Sequence, residues 1–147
     1  MSRILALDPG LHTGAAIFDV WGDERDGWNH WQVEGGVHGI AHFLKNCGGW
    51  DVMVCEAFNL DGRTPKPDLT PVEVIGYLKG TYSPIQFVTP ATHKPLITDA
   101  VLKRAGYYPK RGEVKGGHST DAIRIALWYL VKQQKDTFFI NKLWPKD

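Results

Sequence analysis

Arg3-Ile4-Leu5-Ala6-Leu7-Asp8-Pro9-Gly10 sets four apolar residues in succession, then a carboxylate, then a turn. A strand with one wet face alternates apolar and polar residues. An unbroken apolar run of this length reads instead as a strand buried on both faces, inside a sheet covered from two sides. Pro9 fixes φ and Gly10 permits φ > 0, so the chain turns directly after Asp8. The same pattern returns over 51–57, where Val52, Met53, Val54 and Cys55 are followed by Glu56.

Between these two runs, residues 14–20 read as a second strand and 28–34 as an alternating third, joined by an Asp-rich turn over 22–27. Short links between consecutive strands make an antiparallel meander. Gly35-Gly36 breaks the pattern. Val37, Ile40, Ala41 and Leu44 then follow helical spacing up to Gly48-Gly49. Beyond the second apolar run comes a loop over 59–71 rich in Gly, Pro and charge. A helix over 71–81, a short strand over 85–88 and a helix over 96–105 follow. A basic, glycine-bearing loop over 106–117 leads to a last helix with the stripe Ala122, Ile123, Ala126, Leu127 and Leu130, for which Ser119 or Thr120 is the expected cap. The order β-β-β-α-β-α-β-α-α implies an α/β fold: a mixed five-stranded sheet, antiparallel hairpins first and parallel crossovers later, with helices on both faces.

The chain has 147 residues, 43% apolar and 22% charged, which is ordinary for one globular domain spanning 1–147. No apolar run approaches the ~18–20 residues needed to cross a bilayer, and no secretory signal is expected, which suggests a cytoplasmic protein without a membrane partner. Cys47 and Cys55 are expected as two reduced thiols. The net charge of +1 hides an asymmetry: residues 1–100 carry 7 basic and 12 acidic side chains, residues 101–147 carry 10 and 4. An acidic front and a basic rear suit a protein that gathers carboxylates in one place and meets an anion with another. An uneven but solvated surface would show the same balance.

Three acids stand out. Asp8 ends the first strand, although Asp-Pro-Gly alone is a turn signal. Glu56 closes an apolar strand, where an unpaired carboxylate costs several kcal/mol to bury. Asp121 opens an amphipathic helix, where an acid also favours the helix dipole. Each has a structural explanation in isolation; their combination points further. If the first and fourth strands are neighbours, Asp8 and Glu56 reach the same sheet edge, and His118 lies on the same helix face as Asp121. Hard carboxylate oxygens suit Mg²⁺ or Mn²⁺, with imidazole shifting the preference toward Mn²⁺. Two such ions about 3.5–4 Å apart activate water and stabilise the leaving oxygen of a phosphodiester.

The segments Ile4-Leu5-Ala6-Leu7-Asp8-Pro9-Gly10 with Thr13-Gly14, Val54-Cys55-Glu56-Ala57-Phe58, and His118-Ser119-Thr120-Asp121-Ala122 together resemble the RuvC-type Holliday junction resolvases, their small bacteriophage members included. The resemblance spans nearly the whole chain in the same order. It implies a ribonuclease H-like fold and a dimeric, structure-selective endonuclease of branched DNA, with Asp8, Glu56, His118 and Asp121 as catalytic metal ligands. A phage-encoded member would work in the host cytoplasm. The chain departs from the family in the loop after Glu56, which carries Pro65, Pro67 and Pro71 in place of a helix.

Phe58, just past Glu56, is a candidate for stacking on bases, with a core aromatic as the plain alternative. Arg63, Lys66, Lys103, Arg104, Lys110, Arg111 and Lys115 are candidates for phosphate contacts, although any one of them suits a solvated surface equally. Gly76 and Gly80, four apart on one helix face, would allow close approach across a homodimer or against the chain's own sheet. The tryptophans, Trp28, Trp31 and Trp128 among them, read as core. A different enzyme class remains: Asp8-Pro9-Gly10 with Thr13-Gly14 and Asp19 loosely matches the phosphate-binding hairpin of actin-like phosphotransferases and ATPases, which need two such domains. A DNA-binding module without activity, an exonuclease and a flap nuclease are further alternatives.

Overall fold

Because successive side chains of a strand point to opposite faces, the apolar run at 4–7 has to meet two separate layers. The computed structural model describes residues 2–21, 24–58, 66–110 and 117–146, and in it both layers are present. From β1 (Ser2–Asp8), Ile4 and Ala6 face one core and Leu5 and Leu7 the other. Strands β2 (His12–Trp21) and β3 (Glu24–Glu34) complete an antiparallel meander with β1. Strand β4 (Val52–Glu56) runs parallel to β1 with Leu7 opposite Cys55, and β5 (Gln86–Val88) runs parallel to β4, giving the order β3-β2-β1-β4-β5. This is the mixed sheet expected, with the first and fourth strands adjacent.

Helix α1 (Gly36–Asn46) covers one face through Ile40 and Leu44, joined by α2 (Thr70–Thr81) through Val74 and Leu78. On the opposite face lie α4 (Asp99–Ala105), α5 (His118–Trp128) and α6 (Thr137–Leu143), with Leu102, Ile123, Leu127, Phe139 and Leu143 packed around Phe18 and Val54. Residues contributed by α5 are almost all buried, so this helix is the centre of that layer.

Several elements depart from the sequence expectation. Strand β3 starts at Glu24, inside the span read as a turn, because ladder pairing is a backbone matter and Gly27 pairs with Asp19 regardless of side-chain polarity. The helix read over 96–105 begins only at Asp99, where the Thr98 hydroxyl accepts from the Val101 amide at 3.3 Å. A one-turn helix α3 (Pro90–His93) follows β5, a π-helical turn (Tyr129–Gln133) extends α5, and α6 starts on an Asp136 cap. Neither Ser119 nor Thr120 caps α5: Gly117 stands at the cap position, and both hydroxyl residues are buried in the first turn. Both cysteines are free, and burial pushes the Cys55 thiol up, which leaves it unreactive.

Gly14 of β2 decides where α5 can begin. A Cβ at this position would meet the backbone oxygen of His118 at 1.8 Å. Only a residue without a side chain lets the helix start rest directly on the sheet. The first turn of α5 is thereby set beside Asp8, which pairs with Gly14 across the ladder.

Candidate active site

The ends of β1 and β4, the loop after β4 and the first turn of α5 surround a cleft of about 340 Å³, lined in part by Asp8, Glu56, Phe58, Lys94, His118 and Asp121. Asp8 is 8% exposed. His118 Nδ1 lies 3.4 Å from Asp8 Oδ2, a long contact at the half-exposed mouth of the cleft. His93 Nε2 lies 2.7 Å from Glu56 Oε2. Asp121 meets two cations: Arg124 Nη1 donates to its Oδ1 at 2.6 Å, and Lys94 Nζ is 3.5 Å from its Oδ2.

The electrostatics follow from this crowding. Burial, and then the negative charges of Glu56 and Asp121, push the Asp8 carboxyl up to about 8, against a smaller opposite pull from Lys94. A carboxyl pushed up first by burial and then by two other carboxylates marks a site where added positive charge would be favourable. A hard divalent cation is the group that such an oxygen donor set accommodates. Among the described residues no three His, Cys, Asp or Glu side chains stand close enough to enclose one ion as they lie. Glu56 Oε2 and both Asp121 oxygens are instead engaged by protein partners. By donor type and charge the residues fit a divalent cation; Asp8, Glu56, Asp121 and His118 are the ones that would hold it.

Of the residues singled out by sequence, the structure therefore brings Asp8, Glu56, Phe58, His118 and Asp121 to one cleft. Phe58 is 40% exposed at its edge, not a core aromatic. Lys66 is exposed ahead of α2. Lys103 sits over the Tyr108 ring with Nζ 4.7 Å from its centroid, and Arg104 donates to the Leu143 carbonyl at 2.6 Å. Lys110 lines a separate hollow with Trp28, His30 and Tyr108. Arg63, Arg111 and Lys115 lie outside the described residues. Sequence reasoning misses three site residues: His93, Lys94 and Arg124. The first two follow Thr89-Pro90, a helix-start signature that announces α3. Arg124 is the lone charge in an otherwise apolar stretch of α5, which marks a buried ion-pair partner.

No family model and no curated protein matches the chain. Solved structures do. The chain is similar to Thermus thermophilus RuvC in complex with a Holliday junction substrate, at a TM-score of 0.63 and 16% identity over 92% of this chain and 97% of that one. The chain has the RuvC-type fold. A second structure of Thermus thermophilus RuvC matches at a TM-score of 0.56 and 14% identity, over the same shares of the two chains. The Fowlpox virus resolvase in complex with Holliday junction DNA matches at 0.53 and 13%, over 86% of this chain and 97% of that one. The RuvC-type architecture thus carries the acidic cleft at the edge formed by β1 and β4.

Proposed function

We propose that residues 1–147 act as one nuclease domain, a divalent-metal-dependent endonuclease that cuts Holliday junctions or related branched DNA as a homodimer in the cytoplasm. The observation that carries this reading is the convergence of Asp8, Glu56 and Asp121 on one cleft of a RuvC-type sheet, with Asp8 pushed up to about 8 by burial and its acidic neighbours. Bound Mg²⁺ or Mn²⁺, two ions in the full site, would supply a water nucleophile at neutral pH and stabilise the leaving oxygen. The chain's residues do the rest. Asp8, Glu56 and Asp121 would ligate, and His118 at the mouth would add a nitrogen donor. Arg124 holds Asp121 in place, and Lys94, half exposed in the cleft, can meet a phosphate oxygen. Phe58 presents an aromatic face at the rim, where an unstacked base at a branch point can rest. No helix among the described residues is long and apolar enough to cross a membrane.

The deciding experiment incubates the protein with labelled four-way junction, flap and linear duplex, with and without Mg²⁺ or Mn²⁺. Metal-dependent paired nicks in the junction alone are expected. Cutting of flaps or ends in preference to the junction would leave a flap nuclease or exonuclease of the same fold. No cutting of any substrate would overturn the nuclease reading.

Phosphate contacts are proposed to run over Arg63, Lys66, Lys103, Arg104, Lys110, Arg111 and Lys115. Replacing Lys110, Arg111 and Lys115 together by Ala should weaken binding to every DNA shape. It should also flatten the slope of log K against log salt by roughly 0.9 for each phosphate that is no longer neutralised. Unchanged affinity and slope in a filter-binding or anisotropy titration would put the DNA path elsewhere.

Two opposed cuts call for two sites, which a two-fold dimer supplies. The outer face of α2 is the proposed interface. A Cβ at Gly76 or Gly80 would meet nothing within 4 Å among the described residues, so neither glycine is needed for packing against them. Leu69 and Val72 are exposed near the start of this helix, which adds apolar surface there. Gly76→Leu is therefore expected to leave the folded protomer's melting temperature within a few degrees of wild type, yet to weaken dimerisation and reduce junction cutting more than simple nicking. Sedimentation at micromolar protein reads the outcome. A wild type monomeric both free and on junction DNA would contradict the dimer.

A further inference from the structure

We infer that His93 is the positioning residue of Glu56: it holds one carboxylate oxygen so that the other is presented to the cleft, and so sets the affinity of the acidic site for a divalent cation. The inference rests on the metal-dependent reading above.

His93 is 0% exposed, at the end of the single turn α3. Two features aim that turn. Glu56 pairs with Val88, and the Ala57 amide donates to the Val88 carbonyl at 2.8 Å, so the exits of β4 and β5 are tied together. The chain then curls back through α3, fixed by Lys94 N donating to Pro90 O and Ile97 N to His93 O, both at 3.0 Å. This delivers the imidazole onto Glu56 from behind the cleft, with Nε2 at 2.7 Å from Oε2. A carboxylate accepts, so Nε2 carries the hydrogen and donates it.

The other ring nitrogen supports a specific role. Nδ1 is buried and has no hydrogen-bond partner among the described residues. Leaving a polar atom in that condition costs about 1–3 kcal/mol, and Leu would fill the space without it. A histidine used only as packing is thus a poor choice; a histidine whose Nε2 hydrogen is needed at Glu56 is a reasonable one. With Oε2 engaged, Oε1 is the oxygen left to serve the cleft that Glu56 lines, and the hydrogen bond restrains the side chain from swinging away. Partners that orient a metal ligand in this manner typically change metal affinity about 10- to 100-fold when removed.

The test is an Mn²⁺ titration by electron paramagnetic resonance on the full chain without DNA, comparing wild type, His93→Gln, His93→Leu and His93→Asn. Gln keeps an amide donor near the reach of Nε2. Leu matches the bulk without a donor, and Asn has a donor that falls short of Glu56. Expected are affinities within about threefold of wild type for Gln and about 10- to 100-fold weaker for Leu and Asn, with melting curves confirming that each variant is folded. Should the Leu variant fail to fold, the comparison of Gln with Asn decides alone. Wild-type affinity in the Asn or a folded Leu variant, or equal loss in Gln and Asn, would overturn the role of His93 while leaving the nuclease reading intact. A wild type that binds no Mn²⁺ would overturn both, and would be recognised by the silence of every variant.

Discussion

Asp8→Asn is expected to abolish metal-dependent cleavage while making the metal-free protein more stable. On the proposed metal-dependent reading, loss of a charged ligand would forfeit several kcal/mol of transition-state stabilisation, about 10³-fold or more in rate. Glu56→Gln and Asp121→Asn should lose activity on the same scale. The stability effect belongs to Asp8. Its carboxyl sits near 3.8 in the open chain and is pushed up to about 8 in the folded one by burial, Glu56 and Asp121. The folded state therefore holds a proton that the unfolded state has released between those values. The Asp8 contribution to stability is full below about pH 4, falls as pH rises toward 8, and levels off beyond. An amide carries no charge to desolvate, so the Asn variant should lack this decline and melt several degrees higher at pH 8 but not at pH 4. Mg²⁺ or Mn²⁺ should raise the melting temperature of wild type at pH 8 and have little effect on the variant. Melting curves at four pH values, with and without metal, read all of this. A variant with the same pH dependence as wild type would contradict the electrostatic crowding at Asp8, and one with near-normal turnover in Mg²⁺ would remove Asp8 from the site.

The second large effect is expected at Arg124. Its guanidinium is 7% exposed and serves three acceptors: Nη1 donates to Asp121, Nη2 to Asp99, and Nε to the Ile97 carbonyl at 2.5 Å. One side chain thus ties α5 to the start of α4 and to Ile97 just before it, and holds a proposed ligand. Arg124→Met keeps much of the length but leaves Asp121 with Lys94 alone and the Ile97 oxygen without this donor. Breaking a buried pair from one side costs about 3–5 kcal/mol, or about 10 °C in melting temperature for a chain of this size. Cleavage should fall a further 10- to 100-fold at temperatures where the variant is folded, because Asp121 is no longer held. Arg124→Lys should recover little, since a single ammonium cannot reproduce the three-way fork. A Met variant within 1 kcal/mol of wild type would contradict the assignment.

The parts of the fold that are legible in the sequence are those where burial leaves a compositional mark. Residues 4–7 and 52–55 lie between two helical layers, so both their faces have to be apolar, and the run itself announces the central strands. Asp8 and Glu56 stand out because a carboxylate at the end of such a run is expensive without a purpose. Phe58, His118 and Asp121 follow from position relative to these. What escapes depends on contacts that no local pattern records. His93 belongs to a helix of one turn, too short for periodicity, and its partner is 37 residues earlier. The cap of α5 is not legible because Ser119 and Thr120 are good capping residues in general, whereas here the backbone of Gly14 sets where the helix starts. Helix α6 is short, and its two buried anchors, Phe139 and Leu143, form a single i, i+4 pair.

The proposed ligands come from distant stretches of sequence: His118 lies 110 residues beyond Asp8 and meets it where the start of α5 rests on Gly14. The hairpins β1–β2 and β2–β3 are local and can close early, whereas the parallel ladder to β4 and the seating of α5 are long-range and slow. During synthesis the ribosome releases Asp8 and Glu56 well before Asp121. A growing chain therefore carries two of the three acids before Asp121 is available, and the cleft is complete only once α5 is seated. On the nuclease reading proposed above, completion of folding would be the licence for activity.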